Sequence, residues 1–147
     1  MLIRTLWDDP GWALGWVTCA ALTLSVACGS GPTAPTAALG ETFVLAPGER
    51  VSLQGTSLTV GFVGVSGDSR CPADALCIQG GDAIVTIEVR GEGRNRVVYE
   101  LHTGDMRPVT HDDILISLVD LSPYPFSSRT IAPDEYRATL TAVRVDV

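Results

Sequence analysis

From Thr42 onward the apolar residues fall in short runs with a period of two. Ala83–Arg90 is the cleanest case. Ala83, Val85, Ile87 and Val89 point one way, and Ile84, Thr86, Glu88 and Arg90 point the other. That alternation predicts a strand with one buried face. Arg96–His102 repeats it with Val97, Tyr99 and Leu101 inward, and the turn-rich Gly91-Glu92-Gly93-Arg94-Asn95 between the two runs predicts a hairpin. Earlier, Thr42–Leu45 and Arg50–Leu53 flank the turn Pro47-Gly48, and Ser57–Val65 sets Leu58, Val60 and Phe62 on one face. Ile114–Leu121 is apolar on both faces, which predicts a central strand covered by another layer. The last run, Tyr136–Val147, slips phase at Ala142-Val143, so a β-bulge or a bend between sheets is expected there. A helical period is nearly absent. These runs predict an all-β fold, a single β-sandwich of about seven short, mainly antiparallel strands.

Ahead of this pattern lies a different one. Trp12–Ala27 is uncharged and ends in small residues, as an export signal requires. Its span of about 16 residues is short of the ~20 that a membrane-crossing helix needs. The run Leu24-Ser25-Val26-Ala27-Cys28 resembles the lipobox of bacterial lipoproteins. That resemblance implies cleavage before Cys28, acylation of Cys28 and a mature protein held to a membrane by its N-terminal lipid. Residues 1–27 then form the signal peptide, 28–40 the lipidated cysteine and a flexible Pro/Thr/Ala-rich linker, and 41–147 the β-domain. Gly29 follows the cysteine where an Asp would signal inner-membrane retention, which favours the outer membrane, facing the periplasm, in a Gram-negative cell. The n-region departs from the pattern, with Arg4 as its only basic residue beside Asp8-Asp9.

Charge narrows the partners. Removing Arg4, Asp8 and Asp9 with the signal takes the net charge from −7 to −6, and all ten basic residues of the chain are Arg. An acidic surface with no basic cluster argues against nucleic acid, and the lack of Lys or Arg runs argues against electrostatic docking on anionic lipid. Trp7, Trp12 and Trp16 all lie in the signal region, which weakens a carbohydrate-platform reading of the domain. Gly61-Phe62-Val63-Gly64 and Gly91-Glu92-Gly93 join no strand to a helix, so neither is a phosphate loop, and no cofactor is implied.

The densest unusual chemistry is Asp68-Ser69-Arg70-Cys71-Pro72, with Cys77 six residues after Cys71 and Gly81-Asp82-Ala83 leading into a strand. This motif, together with Leu121-Ser122-Pro123-Tyr124-Pro125, resembles a group of small exported bacterial proteins. The resemblance implies a compact β-domain and supplies no mechanism. Cys71 and Cys77 are the only thiols left once Cys28 is acylated, and in an oxidising envelope such a pair reads as a disulfide. Weaker readings are a redox pair, against the Cys-x-x-Cys spacing, and zinc, for which His102 and His111 are the only further imidazoles. Asp68, Asp74 and Asp82 have no EF-hand spacing, so no metal site is expected.

The loop from Asp68 to Asp82 and the Pro123-Tyr124-Pro125-Phe126 connection are long, and long ordered loops on a rigid sandwich carry binding residues. Arg70, Tyr124 and Phe126 are the candidate interaction residues, Arg70 as a planar cation and the two rings as apolar anchors. The alternative is that both rings plug the sandwich end as core. The chain therefore reads as a lipid-anchored, non-enzymatic binding module for an envelope protein or small ligand. Its rivals are a purely structural envelope lipoprotein and a small enzyme. The enzyme would need His102, His111 and an Asp to converge in a concave site, since no nucleophile motif is present.

Overall fold

The computed structural model describes residues 35–93 and 96–145, so the reading of Cys28 as a lipidation site lies outside the described residues. Among those residues two sheets form. The first has the order β1 (Thr36–Ala37), β3 (Arg50–Leu53), β4 (Thr59–Asp68), β5 (Ala83–Arg90) and β6 (Val97–His102). The second has the order β2 (Thr42–Leu45), β9 (Arg137–Arg144), β8 (Ile114–Ser122) and β7 (Val109–His111). All neighbouring pairs are antiparallel except β1 with β3. The expected sandwich is present, with nine strands rather than about seven.

The alternation decides which faces meet. Val60, Phe62, Val85, Ile87, Val89 and Leu101 from the first sheet are buried in one cluster with Leu45, Ile114, Ile116, Leu118, Ala138, Leu140 and Ala142 from the second. Each such large side chain contributes roughly 1.5–3 kcal/mol by leaving water. The predicted hairpin forms with Val89 opposite Val97 and Ile84 opposite His102. Of the three residues expected inward on β6, however, only Leu101 is buried and Tyr99 partly buried, while Val97, at the strand's start, is exposed.

Three expectations need correction. The two additional strands, β1 and β7, are two and three residues long, too short for a period to show. Because of β1, the folded unit includes part of the expected linker. Ser52 N–H donates to Pro35 O and Gln54 N–H to Ala37 O, and Ala37 is buried. The folded unit thus begins by Pro35, ahead of the Glu41 boundary.

The phase slip lies in a different strand. β9 keeps one phase, with Ala138, Leu140 and Ala142 all fully buried. Val143 instead faces outward opposite Leu115 as an apolar cross-strand pair. The bulge is in β8, where Leu118 pairs with Leu140 and Asp120 with Thr139, leaving Val119 as the extra, exposed residue. One extra residue returns Leu121 to the core side, so β8 looks apolar on both faces while only one face is buried. Two further irregularities in β4, at Val63 and Ser66, shift the register of that strand before it reaches Asp68.

The turn at Pro47-Gly48 is a corner between the sheets, since β2 and β3 belong to different ones. Gly48 has φ of 85°, and its N–H donates to Phe62 O at 2.7 Å.

The bulge gives a direct check. Leu140→Ala should cost about 2–5 kcal/mol as a core cavity. Val119→Ala, outside the ladder, should stay within about 0.5 kcal/mol by chemical denaturation.

Candidate functional site

At one end of the sandwich β4 finishes on Asp68, and the carboxylate there gathers four hydrogen bonds. Arg70 N–H and Nε–H donate to Oδ1 at 3.1 and 2.9 Å, Arg70 Nη2 donates to Oδ2 at 2.7 Å, and Tyr136 Oη–H donates to Oδ2 at 3.1 Å. Arg70 continues across to the second sheet. Its Nη1 donates to Leu121 O at 2.6 Å and its Nη2 to Pro123 O at 3.0 Å. The ion pair therefore joins the end of β4 to the end of β8 and to the residue before β9. Burial raises the pKa of Asp68, but the hydrogen bonds and charge of Arg70 outweigh it and hold the carboxylate below its ordinary value.

The loop that follows is closed at its neck. Ser69 N–H donates to Asp82 O at 2.7 Å, and Ser69 Oγ accepts from Asp82 N–H at 3.0 Å. Position 81 must be glycine, because a Cβ there would lie 1.5 Å from Ser69 O. Inside the loop Cys71 and Cys77 are joined as a disulfide. A ring this small is worth about 2 kcal/mol in the chain-entropy account.

The second loop is fastened to the first. Ala73 N–H donates to Pro125 O at 2.9 Å, and Ser127 donates to Asp74 through both N–H and Oγ–H, at 2.8 and 2.6 Å. The Ser127 side-chain bond, then its backbone bond, hold the Asp74 carboxylate below its ordinary value.

The two loops singled out from sequence are thus brought together, although their residues take unequal parts. Arg70 is buried with most of its donors engaged inside the protein, so it does not stand ready to grip a partner's carboxylate. Tyr124 and Phe126 do not plug the core either, since each is about half exposed, at 53% and 52%. Tyr124 lies over Arg70, with Cζ 5.2 Å from the ring centroid, a cation–π contact that leaves the ring accessible. The pattern of strands did not mark Leu76 and Ile78, yet both are fully exposed on the disulfide loop. Two large aliphatics flanking a cysteine in a loop with no strand period were the available signal. Beside Tyr124 a cleft of about 170 Å³ opens, lined by Arg70, Gly81, Thr103, Met106, Asp120 and Leu121 as well.

The histidines do not converge. His102 Nδ1 lies 2.5 Å from Asp82 Oδ2 on the outer side of β6, while Asp82 Oδ1 accepts from Thr103 Oγ1–H and Gly104 N–H. His111 Nδ1 sits 2.8 Å from Tyr99 Oη, their rings edge to face. His111-Asp112-Asp113 forms the tight turn between β7 and β8, where His111 pairs with Ile114. Neither histidine lines the cleft at Tyr124. No group of three or more His, Cys, Asp or Glu positioned for a metal occurs among the described residues.

The expectation of no basic cluster fails in three dimensions. Arg50, Arg90 and Arg96, far apart in sequence, all reach Glu88 on the outer face of the first sheet.

Compared with protein-family models, with curated proteins and with solved structures, the chain matches none of them. No helix among the described residues is long and apolar enough to cross a membrane.

Asp68→Asn leaves the Arg70 charge buried without its counter-ion and should destabilise by about 3–5 kcal/mol. The double change Cys71→Ser with Cys77→Ser should cost only about 2 kcal/mol. Urea denaturation of the two variants checks the order.

The Asp82–His102 pair predicts a pH signature. The Asp82 hydrogen bond, against a smaller loss from burial, raises the His102 pKa. Burial pushes Asp82 up, but His102, Gly104 and Thr103 together depress it. The raised histidine contributes stability below about pH 6.5 and loses it as pH rises through its folded pKa. The depressed aspartate contributes above about pH 3.9 and loses it as pH falls through its folded pKa. Both side chains are more than a third exposed, so the pair is worth less than about 1 kcal/mol. Wild type should exceed His102→Gln in stability between those pH values, and the difference should vanish at alkaline pH.

Proposed function

We propose that this chain is a lipid-anchored protein of the bacterial envelope, tethered through Cys28, whose β-sandwich is a non-enzymatic binding module. The observation that carries the reading is the exposure of Leu76, Ile78, Tyr124 and Phe126 on two loops that are braced to each other and to both sheets. Several large apolar side chains held in water at one place are a liability unless something covers them. Bracing lowers the entropy lost on association, and aromatic anchors carry a large share of interface energy. The occupant is a protein partner with a complementary apolar surface. The small cleft at Tyr124 would take one side chain of that partner rather than a drug-sized ligand, for which about 300 Å³ or more is usual.

A second reading, a small hydrolytic enzyme, would use the Asp82–His102 pair as its base. Its support is the 2.5 Å contact, and the separation of His111 from that pair weighs against it.

The test places a photo-crosslinking residue at position 76 or 124 of the full chain in cells, with position 44 as control. Val44 is also exposed, but it lies on the edge strand β2 of the second sheet and not on either loop. A discrete protein adduct from 76 and 124 and none from 44 is expected. Equal labelling from all three positions, or none, would overturn the docking reading. Mass spectrometry of the mature N-terminus should find Cys28 acylated, and an unmodified terminus would refute the anchor.

A further inference from the structure

The outer face of the first sheet carries chemistry that the loop end does not use. Glu88 points away from the core on β5 and is nevertheless only 2% exposed. Three arginines cover it. Arg50 Nε lies 2.5 Å from Oε1, Arg96 Nε 2.7 Å from Oε2, and Arg90 Nε 3.3 Å from Oε1. Arg50 reaches Glu88 across β4 because position 61 is glycine. A Cβ there would lie 2.9 Å from Arg50 Cγ and 3.0 Å from Glu88 Cγ. Burial raises the Glu88 pKa, but the bonds from Arg50 and Arg90 outweigh it, so the carboxylate stays ionised.

One carboxylate does not balance three guanidinium groups. The side chains of Arg50, Arg90 and Arg96 are 49%, 47% and 48% exposed, so their charges face solvent while Glu88 is sealed beneath them. A cleft of about 150 Å³ opens here, lined by Glu49, Arg50, Gly61, Glu88 and Arg96, while Arg90 meets Glu88 from outside the cleft's lining. Glu49 is the other carboxylate lining it, and its Oε2 accepts from the N–H of Ala46 in its own turn. Even with Glu49 counted, the patch keeps a positive excess in a chain of net charge −7. Arg50 and Arg96 meet Glu88 through Nε, and a guanidinium has four further N–H donors on its forked end.

We propose that this patch is an oxyanion site for a phosphoryl group, with Glu88 as the buried post that gathers Arg50, Arg90 and Arg96. Guanidinium forks match phosphate oxygens. Arginines arriving from separate positions suit a tetrahedral group with three terminal oxygens better than a planar carboxylate with two. The cleft volume is below the range for a drug-sized molecule, which fits one phosphoryl group with the rest of its carrier in solvent. The same chemistry is offered by free phosphate and by a phosphate monoester on a sugar or a lipid headgroup.

The experiment is titration of the full chain in detergent with inorganic phosphate and, separately, with glycerol 3-phosphate. The readout is the Nε–Hε resonances of arginine, at low ionic strength and about pH 8, where both the free ion and the monoester are mostly dianionic, the monoester having lost its second proton at about pH 6. Saturable shifts confined to Arg50, Arg90 and Arg96 are expected. Arg96→Gln should weaken binding about tenfold or more, the scale of one charged hydrogen bond. Arg50→Gln should do the same if Arg96→Gln fails to fold. Arg107→Gln, at a highly exposed arginine paired with Asp105, should leave binding unchanged. Tighter binding of the ester assigns the site to a headgroup or sugar phosphate, and tighter binding of phosphate assigns it to the free ion. Unsaturable shifts shared with Arg107, or equal binding of acetate, would overturn the proposal.

Discussion

The arrangement of the two long loops at one end of the sandwich depends on the buried ion pair between Asp68 and Arg70. Its two residues are neighbours in sequence, but the contacts they make are not. Arg70 reaches the carbonyls of Leu121 and Pro123, and Asp68 holds the hydroxyl of Tyr136. A single short segment thereby ties the last residue of β4 to the end of β8, to the loop after it and to the residue before β9. Burying such a pair is a weak source of stability, because desolvation of both charges cancels much of their attraction. Its value here is geometric. The guanidinium is planar and donates in fixed directions, so satisfying it sets where the 123–127 loop can lie.

Everything further out is built on that placement. Once Pro123 is fixed, Pro125 and Ser127 fall within reach of Ala73 and Asp74, and the disulfide limits what the first loop can do in reply. The loops then have few ways to fold their apolar residues inward. Leu76 and Ile78 remain in water, and Tyr124 uses one face of its ring on Arg70 while keeping the rest accessible. The polar chemistry has been spent on rigidity, which leaves the exposed surface apolar. The outer face of the first sheet is the reverse case, with its carboxylate buried and its arginines exposed.

Strand alternation was legible wherever a strand was long enough to show its period. Ala83–Arg90 could be placed to the residue because one of its faces meets the core, whereas in its hairpin partner Leu101 is buried, Tyr99 partly so, and Val97 at the strand's start is exposed. β8 and β9 were harder for a physical reason. A bulge changes phase without changing composition, so the outward pair Leu115–Val143 mimicked a slip in the wrong strand. The site was legible as two loops and opaque in its roles. Arg70, Tyr124 and Phe126 look alike to a reading that scores residue types, yet one proves buried and two exposed, because that depends on which carbonyls lie across the sheet. The arginine cluster was invisible for the same reason, since Arg50 and Glu88 are 38 residues apart and meet only across Gly61.

The central claim is that the two end loops form one braced unit with the Asp68–Arg70 pair. Native-state amide hydrogen exchange addresses it most directly, since bonded amides in one cooperative unit open together. The amides of Ser69, Ala73, Asp82 and Ser127 should be protected, and by similar free energies. Replacing Arg70 with Met should strip protection from all four while the β5–β6 hairpin keeps its own. If Ala73 and Ser127 exchange as freely as an unstructured chain in the unaltered protein, the loops are not braced and the account is wrong.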